Sequence, residues 1–144
     1  MNEQQRRESA LHEARSGSSL MALTALEELV QQSNHPRLLA WLGFCLAKEK
    51  RDFSRAQVLC SSALNTAPDD SDLYLALGRV YRLTGRRYQA MMTLRKGLKM
   101  GRNELIVAEL TAMGLRKDPV FGFLDRDHRL NVLAGRIMTR FNFR

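Results

Sequence analysis

Apolar residues recur along most of this chain at intervals of three and four, which places their side chains on one face of an α-helix. Between about residues 20 and 32, the inner apolar stripe is formed by Leu20, Leu23, Leu26, Leu29 and Val30. No stretch alternates apolar and polar residues as a half-buried strand does, and each of the three prolines falls at a boundary between periodic stretches. The pattern therefore predicts an all-α protein.

Turn-forming and capping residues divide the pattern into separate helices. The predicted helices cover about residues 3–14, 20–32, 36–48, 53–66, 72–83, 87–100, 103–113 and 127–141. Asp52 is placed to cap the fourth helix, and the acidic stretch at 68–71 is placed to cap the fifth. Residues 118–124 are apolar without a helical period and contain Pro and Gly, so they predict an extended segment before the last helix.

Two of the predicted helical hairpins share a sequence pattern. A Leu-Gly pair ends at Gly43 and again at Gly78, 35 residues later, and an alanine follows each pair at Ala56 and Ala90. A period of this length is typical of stacked helical hairpins. Because glycine has no side chain, we expect Gly43 and Gly78 to let the second helix of the same hairpin approach closely.

Residues 39–46 and 74–81 carry these pairs within the spacing that opens a tetratricopeptide repeat, with a large residue before Leu-Gly and another after it. Phe53 and Pro68 match further positions of that pattern. The chain thus resembles the tetratricopeptide repeat family over residues 37–102. Arg87 stands where an aromatic residue is usual, and Arg102 replaces the second closing proline.

The resemblance implies a short right-handed α-solenoid of stacked helical hairpins, with a divergent C-terminal capping helix. It implies one domain spanning residues 1–144. Its expected parts are a degenerate hairpin at 3–34, repeats at 37–68 and 72–102, and a partial repeat with a capping segment and helix at 103–144.

The resemblance also implies a function. Members of this family are non-catalytic scaffolds or adaptors for protein–protein interaction, and they bind a peptide or partner segment in a concave groove. By position in the repeats, the groove residues here would be Ala40, Phe44, Ala47, Leu75, Arg79, Arg82 and Met113, with Glu109 beside them. Guanidinium groups next to apolar residues would suit a partner that has acidic and apolar residues.

Two alternatives remain open for this surface. Ala40, Phe44 and Leu75 could instead contact the N-terminal helices or a second copy of the chain, since short arrays leave apolar ends. A more specific form of the partner-binding function is a small chaperone that holds a secretion or assembly substrate.

The charge is unevenly distributed and supports a further alternative. The chain carries a net charge of +8, yet residues 1–78 hold 8 Lys or Arg against 10 Asp or Glu, and residues 79–144 hold 15 against 5. The basic second half could bind nucleic acid or an anionic membrane surface. Few aromatic residues interleave with the arginines and no nucleic-acid-binding motif occurs, so both contacts are expected to be secondary to protein binding.

Signatures of catalysis are missing from the sequence. No phosphate-binding loop or dinucleotide fingerprint occurs, and the three His residues have no metal-ligand spacing. Cys45 and Cys60 lie within apolar helical patterns, so we expect buried free thiols. The sequence therefore predicts no enzyme activity, cofactor or metal. Free thiols and the lack of a signal-peptide pattern favour a cytoplasmic location.

Overall fold

The computed structural model describes residues 1–114, which form seven helices and no strand. These are α1 (Glu3–Ser16), α2 (Ser19–Gln32), α3 (Pro36–Lys50), α4 (Phe53–Thr66), α5 (Ser71–Leu83), α6 (Arg87–Met100) and α7 (Glu104–Ala112). The all-α prediction is confirmed for this part of the chain. The extended segment predicted at 118–124 and the helix predicted at 127–141 lie outside the described residues.

The chain divides into two compact units, Met1–Leu110 and Thr111–Arg144. In the first unit, consecutive helices pack in pairs: α1 with α2, α3 with α4, and α5 with α6. Helix α3 also packs against α1, α2 and α5, and α4 packs against α5. The hairpins are thus joined mainly through α3.

Local capping explains where several of these helices begin. Asn2 and Gln5 form a reciprocal capping box at the start of α1. The Asp52 side chain accepts a hydrogen bond from the Arg55 amide at the start of α4, and Asp70 accepts one from the Asp72 amide at the start of α5. The predicted caps at Asp52 and in the stretch 68–71 are therefore confirmed.

The two glycines of the repeated pattern lie where the paired helices approach closely. A Cβ atom added to Gly43 would lie 2.9 Å from the carbonyl oxygen of Ala56 in α4. A Cβ added to Gly78 would lie 2.5 Å from Cδ2 of Leu94 in α6. Both distances are too short for a real side chain, so the predicted close approach within each hairpin is confirmed.

The core consists mainly of leucine and alanine side chains around Trp41, which is fully buried. The predicted inner stripe of α2 is correct for Leu23, Leu26 and Leu29, which are buried, but wrong for Leu20, which is 69% exposed. Ser19 is buried in its place and donates a hydrogen bond to Glu49 of α3. At this end of α2, the buried residue is therefore a serine that bonds to α3, and not the leucine that the apolar pattern predicts.

The two cysteines are buried free thiols, as the sequence predicts. Burial raises the pKa of each thiol to about 12, because an apolar environment disfavours the thiolate. The Cys60 thiol donates to the carbonyl of Ala40 at 3.5 Å, which joins α4 to α3. Both thiols therefore pack within the helical core.

Candidate functional site

Most of the residues predicted to line a groove are buried against the protein's own helices. Ala40, Ala47 and Leu75 are almost completely inaccessible to solvent, and Phe44 is 5% exposed. Arg79 and Arg82, which we call the arginine pair, are less completely covered, and the Arg82 side chain is 38% exposed. Met113 belongs to the second compact unit. Binding through this surface therefore remains a prediction, and it rests on the arginine pair.

The arginine pair converges on one carboxylate. Arg79 Nε donates to Glu109 Oε1 at 2.7 Å, and Arg82 Nη1 donates to the other oxygen of the same carboxylate. The side chains of Arg79 and Glu109 are only 13% and 14% exposed, so this ion pair is shielded from solvent. Two guanidinium groups from one face of α5 thus enclose a carboxylate supplied by α7.

Two aromatic rings hold Arg79 in place. Its guanidinium lies 5.4 Å from the Trp41 ring centroid and 5.6 Å from the Phe44 ring centroid, within range of cation–π attraction. The two rings meet edge to face with centroids 5.5 Å apart. Arg79 Nη1 also donates to the backbone carbonyl of Arg15 at 2.7 Å. Contacts on α1 and α3 therefore fix this guanidinium independently of Glu109.

A second polar cluster, the Asp72 network, includes the indole N–H of Trp41. It is defined by Arg15, Arg37, Trp41, Asp70 and Asp72. Arg15 donates to Asp72 through Nε at 3.1 Å and Nη2 at 2.7 Å, and Trp41 Nε1 donates to Asp72 Oδ2 at 2.8 Å. Arg37 Nε donates to Asp70 at 2.7 Å and lies 4.0 Å from Asp72. One carboxylate thereby ties α1 and α3 to α5.

The electrostatics of the network agree with this geometry. The pKa of Arg37 is raised above its ordinary value, mainly by its hydrogen bond to Asp70 and further by the negative charges of Asp70 and Asp72. Desolvation acts in the opposite direction and is outweighed. Arg37 is therefore fully charged and acts as a fixed cation beside the N-terminus of α5.

Sequence reasoning placed the helix cap in the stretch 68–71 and missed the contacts of Asp72 with Arg15 and Trp41. For two other contacts between α3 and α5, the repeat spacing carried a signal. Arg37 and Asp72 are 35 residues apart, and so are Phe44 and Arg79. Because α3 packs against α5, residues at equivalent repeat positions come to face each other. A complementary pair at the repeat spacing therefore predicts a contact between adjacent repeats. The repeat positions placed Glu109 beside the groove residues, but its pairing with Arg79 and Arg82 could not be predicted, since it depends on the direction of α7.

The arrangement is suited to binding an anion. Arg79, which lies over the two aromatic rings, and Arg82 bind one carboxylate together. Across residues 1–114, no group of three or more His, Cys, Asp or Glu is arranged to hold a metal ion. None of the helices in the same range has both the length and the apolar character needed to cross a membrane.

No protein-family model matches this chain, and no curated protein is similar enough to match it. The described residues therefore define its class by their fold alone, as an all-α protein whose consecutive helices pack in pairs.

Proposed function

We propose that the chain is a non-catalytic protein-interaction module, an adaptor or scaffold of the tetratricopeptide repeat kind. In this proposal, its hairpins form a short right-handed α-solenoid that binds a partner segment bearing acidic and apolar residues. The observation that carries the proposal is the convergence of Arg79 and Arg82 on a single carboxylate, with the Arg79 guanidinium over two aromatic rings.

Three features of the packing support the solenoid. The first six helices pair in sequence order, α3 packs against both α1 and α5, and the paired helices approach closely at Gly43 and Gly78. A single helical hairpin cannot bury its apolar face, so hairpins of this kind are stable only when they stack.

The charge pattern supports an acidic partner. Arg79 is desolvated and held rigidly, so it presents a directed guanidinium with little side-chain entropy left to lose on binding. Arg82 is more exposed and can reach a partner first. A carboxylate on the partner would gain two charge-assisted hydrogen bonds, which a neutral side chain could not.

Reversing the charge of Arg82 tests this function. Arg82→Glu should fail to recover from native lysate the partners that the wild type recovers. The packing of Arg79 on the aromatic rings should stay in place. Lys99→Glu on α6 is the matched control, because Lys99 is exposed and the change of charge is the same. Identical partners recovered by the wild type and Arg82→Glu would contradict the proposal.

The outer face of α6 favours a second candidate function. Lys96 and Lys99 are exposed there together with Tyr88 and Met92, which gives a basic stripe with an aromatic and an aliphatic residue. Such a stripe would attract nucleic acid or an anionic membrane. Salt-dependent binding of a generic oligonucleotide or of anionic lipid vesicles, lost in Lys96→Glu and Lys99→Glu but kept in Arg82→Glu, would favour this function over the first.

A further inference from the structure

Within the first unit, two side chains on one face of α7 contact other helices. Ile106 is the buried residue of this nine-residue helix, and Glu109 is the residue bound by the arginine pair. They are three positions apart and therefore lie on the same side of the helix. Ile106 fits against Gly97 of α6, where an added Cβ atom would lie 2.7 Å from its Cδ1. This face of α7 thus presents one apolar contact and one carboxylate to the other helices.

The receiving site does not depend on α7 for its shape. Arg79 is fixed by the Trp41 and Phe44 rings and by the carbonyl of Arg15. The space over Gly97 is bounded on the α5 side by Tyr74, whose Cβ would also lie 2.7 Å from an added Cβ on Gly97. If α7 moved away, a prepared cationic site would remain beside a small apolar contact surface.

We propose that Glu109 and Ile106 imitate a partner in the arginine-pair site, and that an acidic peptide binds there by displacing α7. The peptide has the chemistry of α7 itself, an apolar residue followed three positions later by a carboxylate. This inference rests on the proposed function, because it takes the arginine pair as the partner-binding site. It adds that the site is closed in the free protein and that α7 controls its availability.

Competition between the two carboxylates gives the measurable consequence. The tethered Glu109 is present at a high effective concentration, so a partner binds the wild type only as often as α7 is released. Removing the charge of Glu109 should therefore tighten binding of an acidic peptide by about tenfold or more. If Glu109 merely stabilised the fold, replacing it would weaken binding of the peptide.

The experiment uses the full chain and a synthetic peptide with the sequence of residues 104–112. The control peptide has Gln in place of the glutamate that corresponds to Glu109. Trp41 is the only tryptophan and lies against Arg79, so its fluorescence reports occupancy of the site. The peptide should bind Glu109→Gln about tenfold or more tightly than the wild type. Adding Arg82→Gln to Glu109→Gln should abolish the gain, and the control peptide should bind neither protein.

Hydrogen exchange of the wild type provides a second measurement that needs no variant. Saturating peptide should speed amide exchange in α7, since the helix is displaced, while α3 and α5 keep their protection. Slower exchange in α7 on adding peptide would overturn the inference.

The outcomes separate the two proposals. Equal affinity for the wild type and Glu109→Gln, with a loss in Arg82→Gln, would overturn control by α7 and leave the arginine-pair function standing. Absence of binding to every variant would overturn both.

Discussion

The α3–α4 and α5–α6 hairpins share a backbone arrangement but differ in the chemistry of their equivalent positions. Both place a glycine of the first helix against the second helix. In the first hairpin, Phe44 and Ala47 are buried, whereas Arg79 and Arg82 hold the equivalent positions in the second. Small residues at the contact points therefore set the packing in both hairpins. The positions around these contacts can hold either buried apolar residues or charged residues.

The largest expected effect comes from filling the glycine contacts. Gly43→Leu should destabilise the protein by about 3 kcal/mol or more, because its Cβ meets the backbone of Ala56, which cannot move aside. Gly78→Leu should cost about 1–3 kcal/mol, because its Cβ meets the side chain of Leu94. Urea denaturation followed by circular dichroism measures both. A larger loss for Gly78→Leu would show that the two hairpins are packed differently from this description.

Removing the carboxylate that joins the hairpins should have the next largest effect. Asp72→Ala leaves the buried Trp41 N–H and the partly buried Arg15 guanidinium without their acceptor, at a cost of about 3 kcal/mol. Asp70→Ala is the matched control, and it should cost about 1 kcal/mol, since it loses a helix cap and an ion pair to the more exposed Arg37. Equal unfolding midpoints for the two variants would argue against a joining role for Asp72.

The turns of the two hairpins should respond in opposite directions. Arg51 has φ of 52° at the end of α3, and Gly85 has φ of 74° after α5. Arg51→Gly should stabilise the protein by about 0.5–1 kcal/mol because it removes left-handed strain. Gly85→Ala should destabilise it by about 1 kcal/mol through strain alone, since an added Cβ meets no atom within 4 Å. Thermal unfolding of both variants is the measurement, and changes of the same sign would refute the interpretation.

The smallest effect concerns the thiols of the first hairpin and depends on pH. The pKa of Cys45 and of Cys60 is about 12 in the folded state, against 9.0 for a free thiol. The folded state therefore holds the proton more tightly. The stabilisation is fully present below about pH 9 and is lost as the pH rises from there towards 12.

At about pH 9, where an unfolded thiol is half ionised, each cysteine should lower the free energy of unfolding by about 0.4 kcal/mol relative to neutral pH. Replacing both cysteines with Ala should make the free energy of unfolding depend less on pH in this range. Each protein is compared with its own value at neutral pH, which removes the constant loss from the smaller side chains. A wild-type profile no steeper than that of the double variant would contradict the raised pKa values.

Much of the fold could be predicted from the sequence. The bounds of α4 and α6 follow from their capping and stop residues, and the contacts of Gly43 and Gly78 follow from the repeated Leu-Gly pairs. These features depend on neighbours along the chain or on one repeat spacing. The orientation of Leu20 could not be predicted, because the hydrogen bond from Ser19 to Glu49 joins residues of two helices.

The site was only partly predictable. The repeat pattern places Arg79 and Arg82 on one face of α5, and the sequence therefore identifies the arginine pair. It does not show that Glu109 binds the pair, or that the Arg15 guanidinium lies 5.9 Å from the centroid of the Trp41 ring. Both contacts depend on the angles at which α1 and α7 meet α5.

The sequence by itself determined the helices, their pairing points and the position of the guanidinium groups, because periodicity, capping and glycine placement act over short distances along the chain. The tertiary structure alone decided which carboxylates those cations bind and which predicted groove residues are covered. A charged side chain is stabilised by whatever partner the packing brings within a few ångströms, and that partner can come from any part of the chain.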